Sequence, residues 1–297
     1  MKIRLQRIET IILVLTIPLL LFSCTTTLAV KGIPGKEEFI PPESFRPEWE
    51  NVANGIEKMS FRQSNPLFYI TALRIDLGVK EREIVITSGR NSLNDNESGD
   101  NNFISGTIRQ FMNKQHLLTA INATPFRPYR FFTGKPQTAV GFVMSDGTVY
   151  SKNDKYDAFF VSKDGRIRFL HPPFEDINSY KSAAGGFFII LSNGINIAKE
   201  SPRAARSLIG TVNAGNIVFL VAIDGENTSN GSGATFYESA EWMKAIGATN
   251  AINMDGGGSS VLALRTDLEE KIEVLNHSDS GILTFFQRNV PVFIGIK

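Results

Sequence analysis

A run of three glycines between an aspartate and two serines is the part of the sequence best suited to chemistry. It reads Asp255-Gly256-Gly257-Gly258-Ser259-Ser260. Glycines in a row cost backbone entropy, so they are expected where the chain turns sharply or where a ligand approaches the main-chain amides. Such amides can line a concavity that binds an anion. The alternative is a turn with a purely structural role.

A second aspartate, Asp224, ends another apolar strand-like segment. The chain between Asn216 and Leu264 reads as a strand ending at Asp224, a polar loop, a helix, and a strand ending at Asp255. This order predicts a β-α-β unit, whose crossover joins parallel strands and brings both aspartates to the carboxyl-terminal edge of one sheet. Open sheets bind ligands at that edge. Each aspartate also fits a structural role, because a strand-end carboxylate can accept amides of the following turn.

Strand-like segments outnumber helical ones along the rest of the chain. The predicted strands cover residues 68–75, 83–87, 118–121, 140–144, 159–161, 187–191, 218–223, 251–254 and 261–264. Helices are predicted at 104–114 and 236–246, the second with a capping box of Thr235 and Glu238 and a stop at Gly247. We therefore expect an α+β fold of mixed β-sheets flanked by a few helices, with the β-α-β unit carrying the site.

Four segments resemble motifs of the phosphodiester glycosidase family, in the family's order. Residues 252–260 are similar to its N-L-D-G-G-G-S-S signature, and residues 205–210 to its R-T-x-x-G element. Residues 221–225 resemble its V-V-D-G strand end, and residues 119–122 its A-x-N-G element. The resemblance extends over residues 70–297. Ser207 replaces the usual threonine and keeps the hydroxyl, whereas residues 123–126 replace the usual glycine and paired aromatics.

The resemblance implies a substrate in which the anomeric carbon of a sugar is joined to a phosphodiester. It implies Asp255 and Asp224 as catalytic carboxylates, one as acid or base and the other orienting the sugar or stabilising its positive charge. Which aspartate does which stays open. Arg206 is expected to bind the phosphate with two hydrogen bonds, or else to form a surface ion pair. The other expected substrate-binding residues are Ser207, Asn122, Gly256, Gly257, Gly258, Ser259 and Ser260. For Asn122, pinning a turn is an equal alternative.

The placement of the histidines and the net charge argue against two further kinds of function, histidine catalysis and nucleic-acid binding. The three histidines, His116, His171 and His277, match no nucleophile-base or metal spacing, so histidine chemistry is not expected. No cofactor is predicted, and a divalent metal is left open. The formal charge of +1 becomes about −1 without the basic N-terminus, which gives no electrostatic footprint for nucleic acid.

The N-terminus has the order of a bacterial export signal. Three basic residues precede an apolar stretch that is too short to span a bilayer, and Leu21-Phe22-Ser23-Cys24 follows. This ending resembles the lipobox of lipoproteins, and Cys24 is the only cysteine. We expect a signal peptide over residues 1–23, a tether over 24–47 and one domain over 48–297. Cys24 would anchor an exported protein to the bacterial cell membrane or outer membrane; an ordinary signal peptide with an incidental cysteine is the alternative.

Three functions fit these observations. The first is hydrolysis of sugar-1-phosphodiester linkages on envelope or host glycans. The second is a surface lipoprotein that binds glycans or sugar phosphates without turnover. The third is an envelope scaffold with no ligand.

Overall fold

The computed structural model describes residues 40–64, 67–87, 102–129, 132–212, 215–225, 231–266, 271–277 and 287–297. The predicted signal peptide and Cys24 lie outside these residues. No helix in the described part of the chain is long and apolar enough to cross a membrane.

Strands dominate the described residues. They are β1 (Glu50–Ala53), β2 (Ile56–Ser64), β3 (Leu67–Asp76), β4 (Ile84–Ile86), β5 (Asn102–Ile104), β6 (Thr119–Asn122), β7 (Phe126–Arg127), β8 (Pro136–Ala139), β9 (Phe142–Ser145), β10 (Thr148–Lys152), β11 (Ala158–Ser162), β12 (Ile167–Leu170), β13 (Tyr180–Gly185), β14 (Phe188–Ser192), β15 (Ile195–Asn196), β16 (Arg206–Thr211), β17 (Ile217–Ile223), β18 (Asn250–Asn253), β19 (Leu262–Thr266), β20 (Lys271–Val274) and β21 (Phe293–Ile296). Each of the nine predicted strands overlaps one of them.

The described residues also form two α-helices, α1 (Ile108–Gln115) and α2 (Phe236–Ala245). The capping box predicted for α2 is confirmed, because Thr235 accepts the Glu238 amide and the Glu238 side chain accepts the Thr235 amide. The first helix starts later than predicted. Thr107 forms its own capping box with Gln110, so α1 cannot extend back to Ile104, which belongs to β5.

Four sheets form among the described residues. An eight-stranded sheet has the order β1-β2-β3-β17-β16-β18-β14-β15. The others have the orders β10-β9-β13-β11-β12, β20-β19-β6-β21-β4 and β5-β8-β7. The expectation of mixed sheets is corrected, because every described strand pairing is antiparallel, for example β16 with β17 and with β18. The short connection between β16 and β17 favours antiparallel pairing, whereas β18 pairs with β16 after a connection that contains β17 and α2.

The predicted β-α-β unit is not formed by two adjacent parallel strands. β16 lies between β17 and β18 and is antiparallel to both, so β17 and β18 run parallel to each other without touching. Ile223, the last residue of β17, faces Arg206, and Asn253, the last residue of β18, faces Leu208. Both strands therefore end beside the start of β16, and Asp224 and Asp255 leave the sheet at the same end.

The eight-stranded sheet is covered on both faces, which explains the continuous apolar runs of its central strands. On one face α2 packs through Trp242 and Met243 against residues such as Phe219. On the other face Ile209, Ala222 and their neighbours join a core shared with the sheets that contain β6 and β11. Side chains that alternate along β16 therefore enter two different environments.

Candidate active site

Asn122 fixes both ends of the glycine run. Its amide nitrogen donates to the backbone carbonyl of Asp255 at 2.7 Å, and its carbonyl oxygen accepts the amide of Val261 at 2.9 Å. The same oxygen accepts the hydroxyl of Ser207 at 2.6 Å. Asn122 and Ser207 are buried, and these bonds occupy their polar atoms. The structure supports the turn-pinning alternative for Asn122 and gives Ser207 the same role.

The glycine run folds into a tight turn against β16. Gly257 has a φ of +59° and donates its amide to the carbonyl of Ala205 at 2.9 Å. A Cβ on Gly256 would lie 2.6 Å from that same carbonyl oxygen, which explains the need for glycine there. The amide of Gly257 is therefore committed to the fold. In the described part of the chain, the amides of Gly256 and Gly258 have no acceptor; Gly256 is partly exposed and Gly258 is buried, so the amide of Gly256 is the more accessible donor for an anion.

The two serines after the glycines differ in their surroundings. The hydroxyl of Ser259 lies 3.3 Å from the Nη1 atom of Arg288. Ser260 is fully buried, and its hydroxyl has no partner among the residues described. Both serines are buried, and only the hydroxyl of Ser259 meets a described cation, so Ser259 is the better candidate for an anion site.

Arg206 does not join this cluster. Its guanidinium lies 4.3 Å from the centre of the Phe236 ring, and it donates to the carbonyl of Ala234 at 2.9 Å and to the hydroxyl of Ser201 at 3.3 Å. A further bond goes to the carbonyl of Pro202. Because side chains alternate along β16, Arg206 points toward α2 and Ser207 points toward Asn122. The expectation that Arg206 binds the phosphate is corrected, because these contacts give its side chain a structural role at the start of α2.

Arg288 is the cation that the structure places beside the glycine run, and no sequence motif indicated it. Its guanidinium lies 4.6 Å from the centre of the Tyr129 ring and contacts Ser259. The buried Nε atom has no hydrogen-bond partner, and no carboxylate in the described residues pairs with this side chain. No spacing rule links Arg288 to a serine 29 positions earlier. Its charge is thus available to an anion at the glycine run.

Asp224 is fully buried, and both of its carboxylate oxygens are bound by His277. Oδ1 accepts the backbone amide of His277 at 3.0 Å, and Oδ2 lies 3.1 Å from the Nδ1 atom of the same residue. Burial raises the pKa of the Asp224 carboxyl from 3.8 to about 6, and hydrogen bonds from His277 and Asn276 oppose part of this rise. Direct contact of Asp224 with a sugar, as expected from the sequence, does not fit this burial.

His277 is the histidine that the structure places beside Asp224, at the end of the sheet where Asp255 also lies. Its side chain is 67% exposed although its Nδ1 atom is held by a buried carboxylate. The ring of Tyr69 lies beside it, with 6.2 Å between ring centres. The two partners, Asp224 and His277, are 53 residues apart, so sequence spacing gave no sign of the pair.

Asp255 remains the carboxylate best placed to meet a ligand. Its backbone is fixed by the bond from Asn122 and by its own amide, which donates to the carbonyl of Ala123 at 2.8 Å. Unlike Asp224, the residue is partly exposed. It leaves the sheet at the same end as the pair of Asp224 and His277. Among the described residues, no group of three or more acidic, histidine or cysteine side chains could hold a metal ion.

Solved structures with the same fold come from distant relatives. One is titled "Zebrafish N-acetylglucosamine-1-phosphodiester alpha-N-acetylglucosaminidase (NAGPA) catalytic domain auto-inhibited by pro-peptide"; it matches at a TM-score of 0.58 and 16% identity, over 83% of this chain and 85% of that one. A hypothetical protein from Synechocystis matches at a TM-score of 0.57 and 14% identity, over 86% of this chain. This chain spans 64% of the Synechocystis protein. At these identities the similarity shows the fold alone.

The sequence profile named "Phosphodiester glycosidase" matches residues 116–297. The matched region contains the glycine run, Asp224, His277 and Arg288. A comparison with curated proteins gives no match. With more than half of its length covered by the profile, the chain belongs to the phosphodiester glycosidase family.

Proposed function

We propose that this protein hydrolyses sugar-1-phosphodiester linkages and releases a free sugar and a phosphomonoester. The observation that carries the proposal is the fixed position of Asp255 beside a glycine turn, at the same sheet end as the pair of Asp224 and His277. A partly exposed carboxylate beside unpaired amides suits a substrate that has a sugar ring on one side and a phosphate on the other.

In this proposal the phosphate binds at the glycine run. The amides of Gly256 and Gly258, the hydroxyl of Ser259 and the guanidinium of Arg288 supply the donors. A guanidinium with no carboxylate partner among the described residues suits a diester anion because it can bind two oxygens at once. Asn122 and Ser207 act through the loop they hold and do not touch the substrate.

Asp255 is proposed to stabilise the positive charge that develops on the sugar ring as the bond from the anomeric carbon to the phosphate oxygen breaks. The negative charge that passes to the phosphate is met by Arg288 and the glycine amides. The two charges of the transition state are thus met by groups of opposite sign, with Arg288 linked to the turn through Ser259.

The N-terminal sequence supports a proposal about where the protein acts. We propose that the chain is exported, lipidated at Cys24 and held at the bacterial cell membrane or outer membrane, where it acts on envelope or host glycans. The support for this is the apolar stretch and the single cysteine at its end. Globomycin, which blocks cleavage of lipoprotein signal peptides, should then cause the uncleaved precursor to accumulate, and Cys24→Ala should abolish lipid labelling.

Hydrolysis in ¹⁸O-labelled water by the full chain in detergent tests the reaction itself. We expect equal amounts of free sugar and phosphomonoester from a panel of sugar-1-phosphodiesters, with the label on the anomeric carbon of the sugar. Label on the phosphorus would show a phosphodiesterase instead. Saturable binding of the panel without any product would favour the alternative function, a non-catalytic lipoprotein that binds sugar phosphates.

A further inference from the structure

A buried carboxylate that holds an exposed imidazole at the substrate-binding end of the sheet is an arrangement suited to proton transfer. We propose that His277 is the catalytic base that accepts a proton from the attacking water, and that Asp224 is the residue that positions it. This inference rests on the proposed function, because it assigns a role within the same reaction.

The hydrogen bonds define which nitrogen can act as the base. An ionised carboxylate only accepts hydrogen bonds, so the proton of the neutral imidazole lies on Nδ1, toward Oδ2 of Asp224. The lone pair is then on Nε2, on the opposite side of the ring. Because the side chain is 67% exposed, Nε2 can reach water while Nδ1 stays paired.

Neighbouring contacts connect His277 with the phosphate-binding turn. The side chain of Asn276 donates to the carbonyl of Ser260 at 3.0 Å and accepts the amide of Leu262 at 2.7 Å. The backbone just before His277 is therefore bonded to the segment that follows the glycine run. The base and the anion site thus share one support, which would keep their relative positions constant through the reaction.

Few ionisable groups surround the imidazole. In the described part of the chain, those that contact His277 are Asp224, at the end of β17, and Tyr69 on β3. No described lysine or arginine makes a hydrogen bond, ion pair or ring contact with it. The carboxylate of Asp224 is therefore the partner that would stabilise the imidazolium after proton transfer.

The chemistry of the leaving group explains why a base is needed more than an acid. A phosphomonoester has a second pKa of about 6, so it can depart with the bonding electrons and with little protonation. The water oxygen forms a bond to the anomeric carbon, the bond from that carbon to the phosphate oxygen breaks, and the water proton passes to Nε2. His277 then releases this proton to solvent, and the site returns to its starting state.

The chain contains a matched control for this pair. His171 also places Nδ1 next to a buried carboxylate, 2.8 Å from Oδ1 of Asp157, and its side chain is likewise 67% exposed. The second oxygen of Asp157 accepts the amide of Ile189 at 2.7 Å, on β14. This pair resembles the proposed one in geometry and exposure but has no described contact with the glycine turn.

The test compares His277→Asn with His171→Asn in the full chain over pH 4.5 to 9. Asparagine can place its amide nitrogen near the Nδ1 position, so the bond to Asp224 is kept while the ionisation is lost. We expect kcat of His277→Asn to fall by roughly 10² to 10⁴ and the decline of wild-type activity at acidic pH to disappear, with thermal stability kept. His171→Asn should retain both the rate and the pH profile.

The outcomes separate this inference from the function on which it rests. If the wild type releases sugar and His277→Asn keeps its rate and its acidic decline, the role of His277 is contradicted while the glycosidase remains. If the wild type releases no sugar from any diester, the proposed function is contradicted, and the assignment of His277 as its catalytic base is contradicted with it. A loss of activity in His171→Asn equal to that in His277→Asn would also overturn the assignment.

Discussion

The side-chain amide of Asn122 and the backbone carbonyl of Asp255 are joined by a 2.7 Å hydrogen bond, which connects the end of β6 to the first residue of the glycine turn. The partners come from different sheets, so this bond fixes the proposed catalytic carboxylate relative to the core. Positions held by such supports can be more precise than those on free loops.

Asn122→Ala should therefore reduce stability and activity together. The change leaves the buried hydroxyl of Ser207 and the amide of Val261 without their acceptor, and each unsatisfied group costs about 1–3 kcal/mol. We expect urea denaturation to show a loss of about 2–4 kcal/mol in the free energy of unfolding. Sugar release should also fall at urea concentrations below the unfolding midpoint, where the variant is still folded. Asn51→Ala, at an exposed position of β1, is the control and should change neither. Unchanged sugar release in Asn122→Ala would contradict the supporting role.

Asp224 should make the protein less stable as pH rises. Its pKa is about 6 in the folded state against an ordinary value of 3.8, so the folded state binds more protons between these values. Its contribution is full below pH 3.8 and is lost as pH rises through about 6, an effect of at most about 3 kcal/mol. Asp224→Asn should remove this dependence and be more stable than wild type at pH 8, while losing activity. The measurement is the unfolding free energy at several pH values; equal slopes for both proteins would refute the assignment.

The two arginines should respond differently to replacement by methionine. Arg288→Met should weaken phosphate and substrate binding about 10-fold to 100-fold with little change in stability, because a charged donor to the anion is lost. Arg206→Met should cost about 1–3 kcal/mol of stability, since its bond to Ala234 and its contact with Phe236 are lost, and the folded fraction should stay active. Calorimetric binding of inorganic phosphate and urea denaturation separate the two effects. Weaker binding in Arg206→Met, rather than in Arg288→Met, would restore the expectation drawn from the sequence.

Local patterns predicted the elements well, because they depend on neighbouring residues. The nine strands and the capping box of α2 follow from apolar runs and from one Thr-x-x-Glu spacing. Pairings between distant segments were not predictable in this way. β16 lies between β17 and β18 in the sheet and pairs antiparallel with both, so the two strands that were expected to be neighbours do not touch.

Only the part of the site that lies in one short segment could be predicted from the sequence. The glycine turn and Asp255 stand out in the sequence because their residue types are unusual together. The direction of Arg206 depends on which face of β16 meets α2, and the sequence around it does not specify that face. The partners His277 and Asp224 meet only because β17 and the segment after β20 end side by side. Residue types alone therefore located the turn and missed the base and the cation beside it.

The proposed hydrolysis depends on the carboxylate of Asp255, and sugar release by Asp255→Asn, measured alongside binding of the same diester, tests this dependence. The replacement keeps the shape of the side chain and removes its charge. We expect kcat to fall by about 10³ while the dissociation constant changes by less than about tenfold, and we expect Asp154→Asn, at an exposed position, to behave as wild type. Wild-type kcat in Asp255→Asn would show that Asp255 has no role in the chemistry.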